Sequence, residues 1–246
     1  MEHAPRRWRQ APVPLLLALT GALVLAGCQG TGSTTSTPDS SSVSASTSVR
    51  SVVIIGDSLS TGFGTSAENA WPNLIAMAPG DDSMQLNLLN AAQNGSGYLN
   101  VGVTGSTFAL QVEQALTPDA DLVVFFGSIN DLHQDPTELA AAVGRTYAAA
   151  RERAPRSAFL VVGPPAYSTR PEARFLALRD AVKQEAQAAG AMYVDPIERG
   201  WVVADAERFV GPDGLHPSVE GHRHLREKME ALILGALKGQ PDVAAR

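Results

Sequence analysis

Four short segments of this 246-residue chain carry the residue types that acyl transfer requires. In chain order they read GDSLS, NAAQNGSG, GSIND and DGLHP, at 56–60, 90–97, 127–131 and 213–217. Acyl transfer to water needs a nucleophile, a base, a carboxylate that orients the base, and N–H donors for an oxyanion. Because the four segments contain all of these groups, the sequence predicts a serine esterase.

The candidate nucleophile is Ser58, which directly follows an apolar segment. A serine hydroxyl needs an adjacent base, and a histidine oriented by a carboxylate is suited to that task. Asp213 and His216 are three residues apart in a loop stiffened by proline and glycine, so the carboxylate can turn back to the ring. The alternatives are a Ser58 that caps a helix and a His216 that is solvated in a surface turn. The body of the chain has three other histidines, which are His133, His222 and His224. The last two are expected at the surface of the final helix.

Two further residues can bind an oxyanion. Asn130 carries a side-chain amide, and Gly95 offers a backbone N–H that the missing Cβ leaves accessible. Gly97 is the alternative to Gly95. The simpler interpretation makes Asn130 a loop cap and Gly95 a turn glycine.

Short apolar segments alternate with helical ones along the chain. Five segments are apolar almost throughout, as in strands covered on both faces: 51–55, 86–89, 121–126, 158–162 and 191–194. Apolar residues at helical spacing predict helices over 137–153, 172–189 and 219–237. This alternation predicts a parallel sheet with helices on both sides and a ligand site at the carboxyl ends of the strands. Ser58, Gly95 and Asn130 all follow predicted strands.

Taken together, the four segments resemble the sequence blocks of the SGNH-hydrolase (GDSL esterase/lipase) superfamily, over about residues 51–238. The resemblance implies a three-layer α/β/α flavodoxin-like domain with a central, mainly parallel five-stranded sheet. It also implies Ser58 as nucleophile, His216 as base and Asp213 as the acid that orients it. The oxyanion hole would consist of the Ser58 and Gly95 backbone N–H groups and the Asn130 amide.

One position departs from the family pattern. The third block usually reads Gly-x-Asn-Asp, whereas this chain has Ser128 at the glycine position and Gly127 one residue earlier. Asn130 keeps its place before Asp131, so its implied role is retained. Competing signals are missing from the sequence: it has no Gly-x-Ser-x-Gly elbow, no phosphate-binding loop and no His-Glu-x-x-His or paired-cysteine metal site. We therefore expect neither a cofactor nor a metal.

Residues 1–27 are typical of a bacterial lipoprotein signal peptide. Three arginines precede a short apolar segment at 13–26, which is shorter than the about 20 residues of a membrane span. The segment ends in Leu-Ala-Gly-Cys28, which resembles a lipobox and implies cleavage before Cys28 and lipidation of its thiol. The alternative is an ordinary signal peptide with a chance cysteine. Because Cys28 is the only cysteine, the fold has no internal disulfide.

The remaining chain divides into three parts by composition. Residues 28–49 are rich in serine and threonine and predict a flexible tether, 50–238 predict the hydrolase domain, and 239–246 predict a disordered tail. The net charge is −6 and the body of the chain has no Lys/Arg-rich block, which argues against nucleic-acid binding. It also argues against electrostatic docking on anionic lipid. We expect a monomer. The signal peptide and lipobox predict that it is exported to the extracytoplasmic face of the bacterial cell envelope and meets the membrane only through the lipid on Cys28.

The substrate is predicted as a small-molecule or glycan ester. The sequence has no long apolar insertion resembling a lid, which favours short-chain, accessible esters. The same site suits an O-acyl transferase or deacetylase of an envelope polysaccharide, and a catalytically silent lipid-tethered binding protein is the third alternative. Loop residues that can line the acyl pocket, or equally the edge of the core, are Phe63, Tyr98, Leu99, Leu132, Tyr167 and Trp201.

Overall fold

The computed structural model describes residues 48–78 and 84–239. Its strands are β1 (Ser48–Gly56), β2 (Met84–Asn90), β3 (Leu122–Phe126), β4 (Ala158–Val162) and β5 (Met192–Val194). Its helices are α1 (Trp71–Ala76), α2 (Phe108–Ala115), α3 (Pro136–Arg153), α4 (Ala173–Ala188), α5 (Ala206–Phe209) and α6 (Val219–Leu237). The five strands form one sheet in the order β2-β1-β3-β4-β5, and all neighbours are parallel. This is the flavodoxin-like strand order, so the predicted fold class is confirmed.

Successive side chains of the central strands enter two different cores, because neighbouring residues of a strand point to opposite faces. Val53 and Phe125 belong to the core that also contains buried side chains of α2, α3 and α4. Ile54 and Phe126 belong to the other core, together with α1 and α6. Both faces of β1, β3 and β4 are therefore covered, which explains why these strands are apolar almost throughout. Burial of each such side chain contributes roughly 1.5–3 kcal/mol.

Capping side chains fix where the two longest helices begin. The Asp135 carboxylate accepts the N–H groups of Thr137 and Glu138 at the start of α3. At the start of α6 the Ser218 hydroxyl accepts the Gly221 N–H at 3.0 Å and donates to the Arg208 carbonyl at 2.6 Å. Such caps satisfy helix donors that have no partner within the helix. The cap at Ser218 also holds the segment that contains His216.

Some elements differ from the sequence-based predictions. β2 is an edge strand in which exposed and half-buried residues alternate, so the prediction that it is covered on both faces is wrong. The predicted strands and helices are otherwise present, with ends that differ from the prediction by at most three residues. The sequence did not predict α1, α2 or α5, which are four to eight residues long and show too few turns for a periodic pattern.

Several predicted segments lie outside the described residues. They are the signal peptide at 1–27, the lipobox Cys28, the tether as far as residue 47, and residues 240–246 of the tail. β1 begins at Ser48, before the predicted domain start at residue 50, because 48–50 pair through the backbone with 84–86 of β2. Within 48–78 and 84–239, no helix has the length and apolar character needed to cross a membrane.

Candidate active site

Ser58 lies at the carboxyl end of β1, in a 3-10 turn formed by Ser58–Ser60. The turn begins there because the Asp57 carboxylate accepts the Leu59 N–H at 2.9 Å. The capping residue is therefore Asp57, and the alternative in which Ser58 caps the helical turn is wrong. Ser58 is 8 % exposed, so it is largely buried but keeps some contact with solvent.

Asp213 and His216 lie in a tight turn between α5 and α6. One Asp213 oxygen accepts the backbone N–H groups of Leu215 and His216, each at 3.0 Å. The Gly211 N–H donates to the His216 carbonyl at 2.7 Å, which closes the turn from the other side. The backbone N–H of His216, and next its ring, hold the pKa of Asp213 well below its usual range. This carboxylate is therefore ionised and fixed beside the imidazole.

The structure brings Ser58, His216 and Asp213 into direct contact, although 158 residues separate the serine from the histidine. His216 Nδ1 lies 2.6 Å from Asp213 Oδ2, and His216 Nε2 lies 2.9 Å from Ser58 Oγ. The ring of Phe63 packs at 4.5 Å between centroids against the imidazole. A hydroxyl, an imidazole and a carboxylate thus form one hydrogen-bonded chain, which can move a proton from the serine to the histidine.

The two proposed oxyanion donors lie on neighbouring loops after β2 and β3. Asn130 Nδ2 donates to the Ser96 carbonyl at 2.9 Å, and its second contact, with Asp57 Oδ2, is long at 3.4 Å. Within the described residues, the backbone N–H groups of Ser58 and Gly95 donate to no acceptor. The Gly97 N–H, in contrast, donates to the Asn100 carbonyl at 2.9 Å. Of the two glycines, Gly95 is the one with a free donor.

Two buried polar residues that the sequence did not mark connect these loops. Gln111 accepts the Gly56 N–H at 2.9 Å and donates to the Gly56 carbonyl at 3.0 Å and to the Ser96 hydroxyl at 2.8 Å. Asp57 accepts from Leu59 and from the Ser128 N–H, and burial raises its pKa to about 6. No periodicity indicates either role, because both depend on contacts between distant parts of the chain.

The other histidines of the domain lie elsewhere. His133 is exposed and contacts the Arg174 guanidinium at 2.9 Å. His224 is half-buried, stacks on Phe209 and contacts the Trp201 carbonyl. His222 is fully buried, so the prediction that it lies at the surface is wrong. The spacing of residues 222, 225 and 229 is the sequence signal for this, since the latter two are core residues of α6.

Burial of His222 predicts a loss of stability in mild acid. Neither ring nitrogen has a hydrogen-bond partner within the described residues, and burial, followed by the nearby His216, lowers the pKa of His222 to about 4. As the pH falls from about 6.5 to 4, the unfolded chain binds a proton that the folded chain excludes. The free energy of unfolding should therefore fall across this window, by on the order of 2–3 kcal/mol from this group.

Urea denaturation at several pH values, with wild type and His222→Gln compared, measures this effect. The variant should lose less stability between pH 7 and pH 4.5, whatever its stability at neutral pH. Equal losses in the two proteins would mean that His222 does not resist protonation in the folded state.

Two open cavities flank the loop at 163–172. One, of about 400 Å³, has a lining that includes Leu132, Tyr167, Arg170, Glu172 and Phe175. The other, of about 540 Å³, lies between Tyr167 and the segment 206–218. Of the predicted pocket residues, Leu132 and Tyr167 line these cavities and Phe63 contacts His216. The other predicted pocket residues are part of the cores or next to them. Tyr98 and Trp201 are core residues, and Leu99 packs against a core.

No group of three or more histidine, cysteine or acidic side chains in residues 48–78 and 84–239 has a geometry that could hold a metal ion. The candidate site itself lies at the carboxyl ends of β1, β2 and β3, where the turn that contains Asp213 and His216 meets Ser58.

Comparison with known proteins identifies the family. The model of the GDSL-like Lipase/Acylhydrolase family matches residues 54–224. GDSL lipase Rv0518 of Mycobacterium tuberculosis is 37 % identical over 193 residues, which cover 76 % of this chain and 83 % of that protein.

Solved structures share the fold at lower identity. The psychrotrophic esterase EstA from Pseudoalteromonas sp. is 18 % identical with a TM-score of 0.61, covering 77 % of this chain and 99 % of its own. Est24, a carbohydrate acetylesterase from Sinorhizobium meliloti, is 19 % identical with a TM-score of 0.56, covering 76 % and 99 %. The chain belongs to the GDSL-like lipase/acylhydrolase family and is a carboxylic ester hydrolase.

Proposed function

We propose that the protein hydrolyses small, accessible carboxylic esters through an acyl-enzyme on Ser58, with His216 as base and Asp213 as the acid that orients it. The observation that carries this proposal is the bridging position of one imidazole. Its two nitrogens lie 2.9 Å from the Ser58 hydroxyl and 2.6 Å from the Asp213 carboxylate. A binding protein has no need of this arrangement, which argues against the catalytically silent alternative.

Acylation begins when Ser58 Oγ bonds to the ester carbonyl carbon. The Oγ proton passes to His216 Nε2, and the carbonyl π electrons move to the oxygen, which becomes an oxyanion. Asp213 accepts the Nδ1–H of His216, so that Nε2 carries the free lone pair. The same carboxylate stabilises the imidazolium as it forms. Collapse of the tetrahedral intermediate breaks the bond to the alcohol oxygen, which takes the proton from Nε2.

The oxyanion is held by three N–H groups in this mechanism. The Ser58 and Gly95 backbone N–H groups have no acceptor among the described residues, so an oxyanion does not have to displace one. One Asn130 amide hydrogen is used by the Ser96 carbonyl, and its long second contact leaves the other available. Fixed donors of this kind stabilise charge that develops only in the transition state.

Deacylation repeats these steps with water as the nucleophile. His216 removes a proton from water, the hydroxide oxygen bonds to the acyl carbon, and the Ser58 oxygen leaves with the proton from Nε2. The products are a carboxylic acid and the free enzyme. A sugar hydroxyl in place of water would instead give acyl transfer, so the nature of the acceptor separates a hydrolase from a transferase.

The two open cavities beside the loop at 163–172 are the candidate sites for the groups on either side of the scissile bond. The cavity of about 400 Å³ has a lining that includes Leu132, two residues after Asn130, and the apolar side chains of Ala166 and Phe175. Its open form suits a short acyl group or a ring more than a long extended chain. Removal of acetyl groups from a glycan is the second candidate function, and the structural relative Est24, a carbohydrate acetylesterase, favours it.

A chain-length series of p-nitrophenyl esters, from acetyl to palmitoyl, tests this proposal with purified protein. We expect turnover that is highest for the short esters, and a fluorophosphonate probe that labels Ser58, located by mass spectrometry. The related esterase EstA was solved inhibited by monoethylphosphonate, which supports the choice of probe. If turnover were highest for the palmitoyl ester, the short-chain assignment would be overturned. A folded protein that neither turns over an ester nor reacts with the probe would favour the binding protein.

We further propose that the protein is exported and anchored by a lipid on Cys28. This rests on the sequence motif alone, because Cys28 lies outside the described residues. In bacteria fed labelled palmitate, the wild-type protein should become labelled and Cys28→Ser should not. Label that persists in Cys28→Ser, or that is missing from both proteins, would contradict the proposal.

A further inference from the structure

Ser128 has a backbone conformation that serine rarely adopts. Its φ is +88°, and it is the only non-glycine residue with a positive φ within the described residues. A side chain is disfavoured in this left-handed region, which glycine enters freely. The position is also the one at which the GDSL block usually has glycine. A serine here therefore needs a compensating interaction with the residues around it.

Both hydrogen-bond donors of Ser128, its backbone N–H and its hydroxyl, bind buried carboxylates. Its backbone N–H donates to Asp57 Oδ2 at 2.8 Å, and its hydroxyl donates to Asp131 Oδ2. Serine 128 itself and both aspartates are almost completely buried. A glycine could make the first of these bonds but not the second. The hydroxyl bond to Asp131 is thus the feature that this chain adds to the family pattern.

Asp131 organises the loop that follows β2. Besides the Ser128 hydroxyl, its carboxylate accepts the backbone N–H groups of three consecutive residues: Tyr98 at 2.7 Å, Leu99 at 3.1 Å and Asn100 at 2.7 Å. The carboxylate lies so close to Gly97 that a Cβ there would be 2.4 Å from Asp131 Oδ2. The orientation of this single carboxylate therefore fixes the path of the loop.

That loop carries one oxyanion donor and holds the other. The Asn100 amide donates to the Gly95 carbonyl at 2.7 Å, which connects the Asp131-bound segment to the Gly95 peptide. The Ser96 carbonyl accepts the Asn130 amide at 2.9 Å. Because Asn130 directly precedes Asp131, a rotation of the Asp131 carboxylate would move Gly95 and Asn130 relative to each other.

We propose that Ser128 is a positioning residue of the oxyanion hole, whose hydroxyl orients Asp131 and thereby sets the spacing of the Gly95 N–H and the Asn130 amide. The proposal rests on the proposed function, since it presumes that these two groups bind the oxyanion. Ser128 itself contacts no reacting atom in this scheme. Its effect should therefore appear in the transition state and not in the binding of substrate.

Two substitutions separate the hydroxyl from the backbone conformation. Ser128→Ala removes the hydroxyl and keeps a Cβ in the left-handed region, whereas Ser128→Gly removes the hydroxyl and relieves the backbone. We expect both variants to lower kcat for p-nitrophenyl acetate by about 10- to 100-fold, with KM almost unchanged. The glycine variant should have the higher Tm of the two. Equal loss of kcat at different stability is a result that a merely structural role does not produce.

A double-mutant cycle with Asn130→Ala tests the route of the effect. Asn130→Ala alone should lower kcat by about 10²–10³-fold, as expected for one lost oxyanion donor. If Ser128 acts by positioning this donor, the losses from Ser128→Gly and Asn130→Ala should combine to less than their product. Ser157→Ala is the matched control, because its buried hydroxyl donates to the Ala120 carbonyl beside the opposite end of the sheet. It should lower Tm and leave kcat near the wild-type value.

Three results would overturn the proposal. In the first, Ser128→Gly keeps the wild-type kcat, so that the hydroxyl only compensates its own backbone conformation. In the second, the losses from Ser128→Gly and Asn130→Ala multiply fully, so that Ser128 acts independently of the oxyanion donor. In the third, KM rises with kcat unchanged. Failure of the proposed function is distinguishable from these, because the wild-type protein would then not turn over p-nitrophenyl acetate, and a wrong assignment of the oxyanion hole would leave Asn130→Ala with the wild-type kcat.

Discussion

Replacing Ser58 with alanine is expected to lower kcat for p-nitrophenyl acetate by about 10⁶-fold, the typical cost of removing the nucleophile of a serine triad. Without Oγ no acyl-enzyme can form, and the remaining rate comes from water attacking an ester that the oxyanion donors still polarise. The fold should tolerate the change, since the side-chain hydrogen bond of the Ser58 hydroxyl is with His216 and alanine removes only this one oxygen. Measurements of kcat, Tm and fluorophosphonate labelling on the same preparation check all parts of this expectation.

Ser60→Ala is the matched control, because Ser60 belongs to the same 3-10 turn and is more deeply buried than Ser58. Its hydroxyl accepts the Trp71 indole N–H at 3.2 Å, so its loss leaves a buried donor without a partner. The expected cost is about 1–3 kcal/mol of stability, with kcat near that of the wild type. Turnover that survives in Ser58→Ala would remove Ser58 from the mechanism. Equal loss in both variants would show that the turn, and not the Ser58 hydroxyl, is what catalysis requires.

The sequence predicted the sheet because its strands are buried on both faces. Residues 122–126 and 158–162 are apolar throughout, and the structure has β3 and β4 over these residues. The same criterion misjudged β2, because an edge strand needs only one covered face and forms its ladder through backbone groups that carry no compositional signal. Short helices such as α1 escaped prediction for a related reason: a single buried turn, containing Trp71 and Ile75, is too brief to show a period.

For the candidate site, sequence was informative where residues act on near neighbours. Asp213 and His216 are three residues apart, and the contact between them depends on one turn. The contacts of Ser128, Asp131 and Gln111 depend instead on side chains that reach backbone groups 31 to 71 residues away. Nothing in local composition indicates such contacts, because they exist only after the sheet has brought the loops together. The positive φ of Ser128 has one sequence signal, the glycine that the family usually has at this position, since serine itself gives no sign of a left-handed backbone.

Asp213→Asn is expected to lower kcat by about 10⁴-fold while it leaves the turn intact. The asparagine oxygen can still accept the N–H groups of Leu215 and His216, as Asp213 Oδ1 does now. The atom that faces His216 Nδ1 becomes an NH₂ group, which donates and so requires Nδ1 to be the unprotonated nitrogen. The ring proton then resides on Nε2, pointing at Ser58, where it blocks the transfer that starts acylation. Steady-state kinetics measure the loss of kcat, and imidazole NMR reports which nitrogen of His216 carries the proton.

Asp195→Asn offers a control with the same local geometry. Asp195 also accepts the backbone N–H groups two and three residues ahead, and its other oxygen contacts the Arg179 guanidinium at 2.7 Å instead of an imidazole. Because this carboxylate is buried, its loss should lower Tm more than Asp213→Asn does, with little change in kcat. A wild-type kcat in Asp213→Asn would mean that the packing of Phe63 alone orients His216. In that event Ser58 and His216 would act as a dyad, and the carboxylate would serve only to shape the turn.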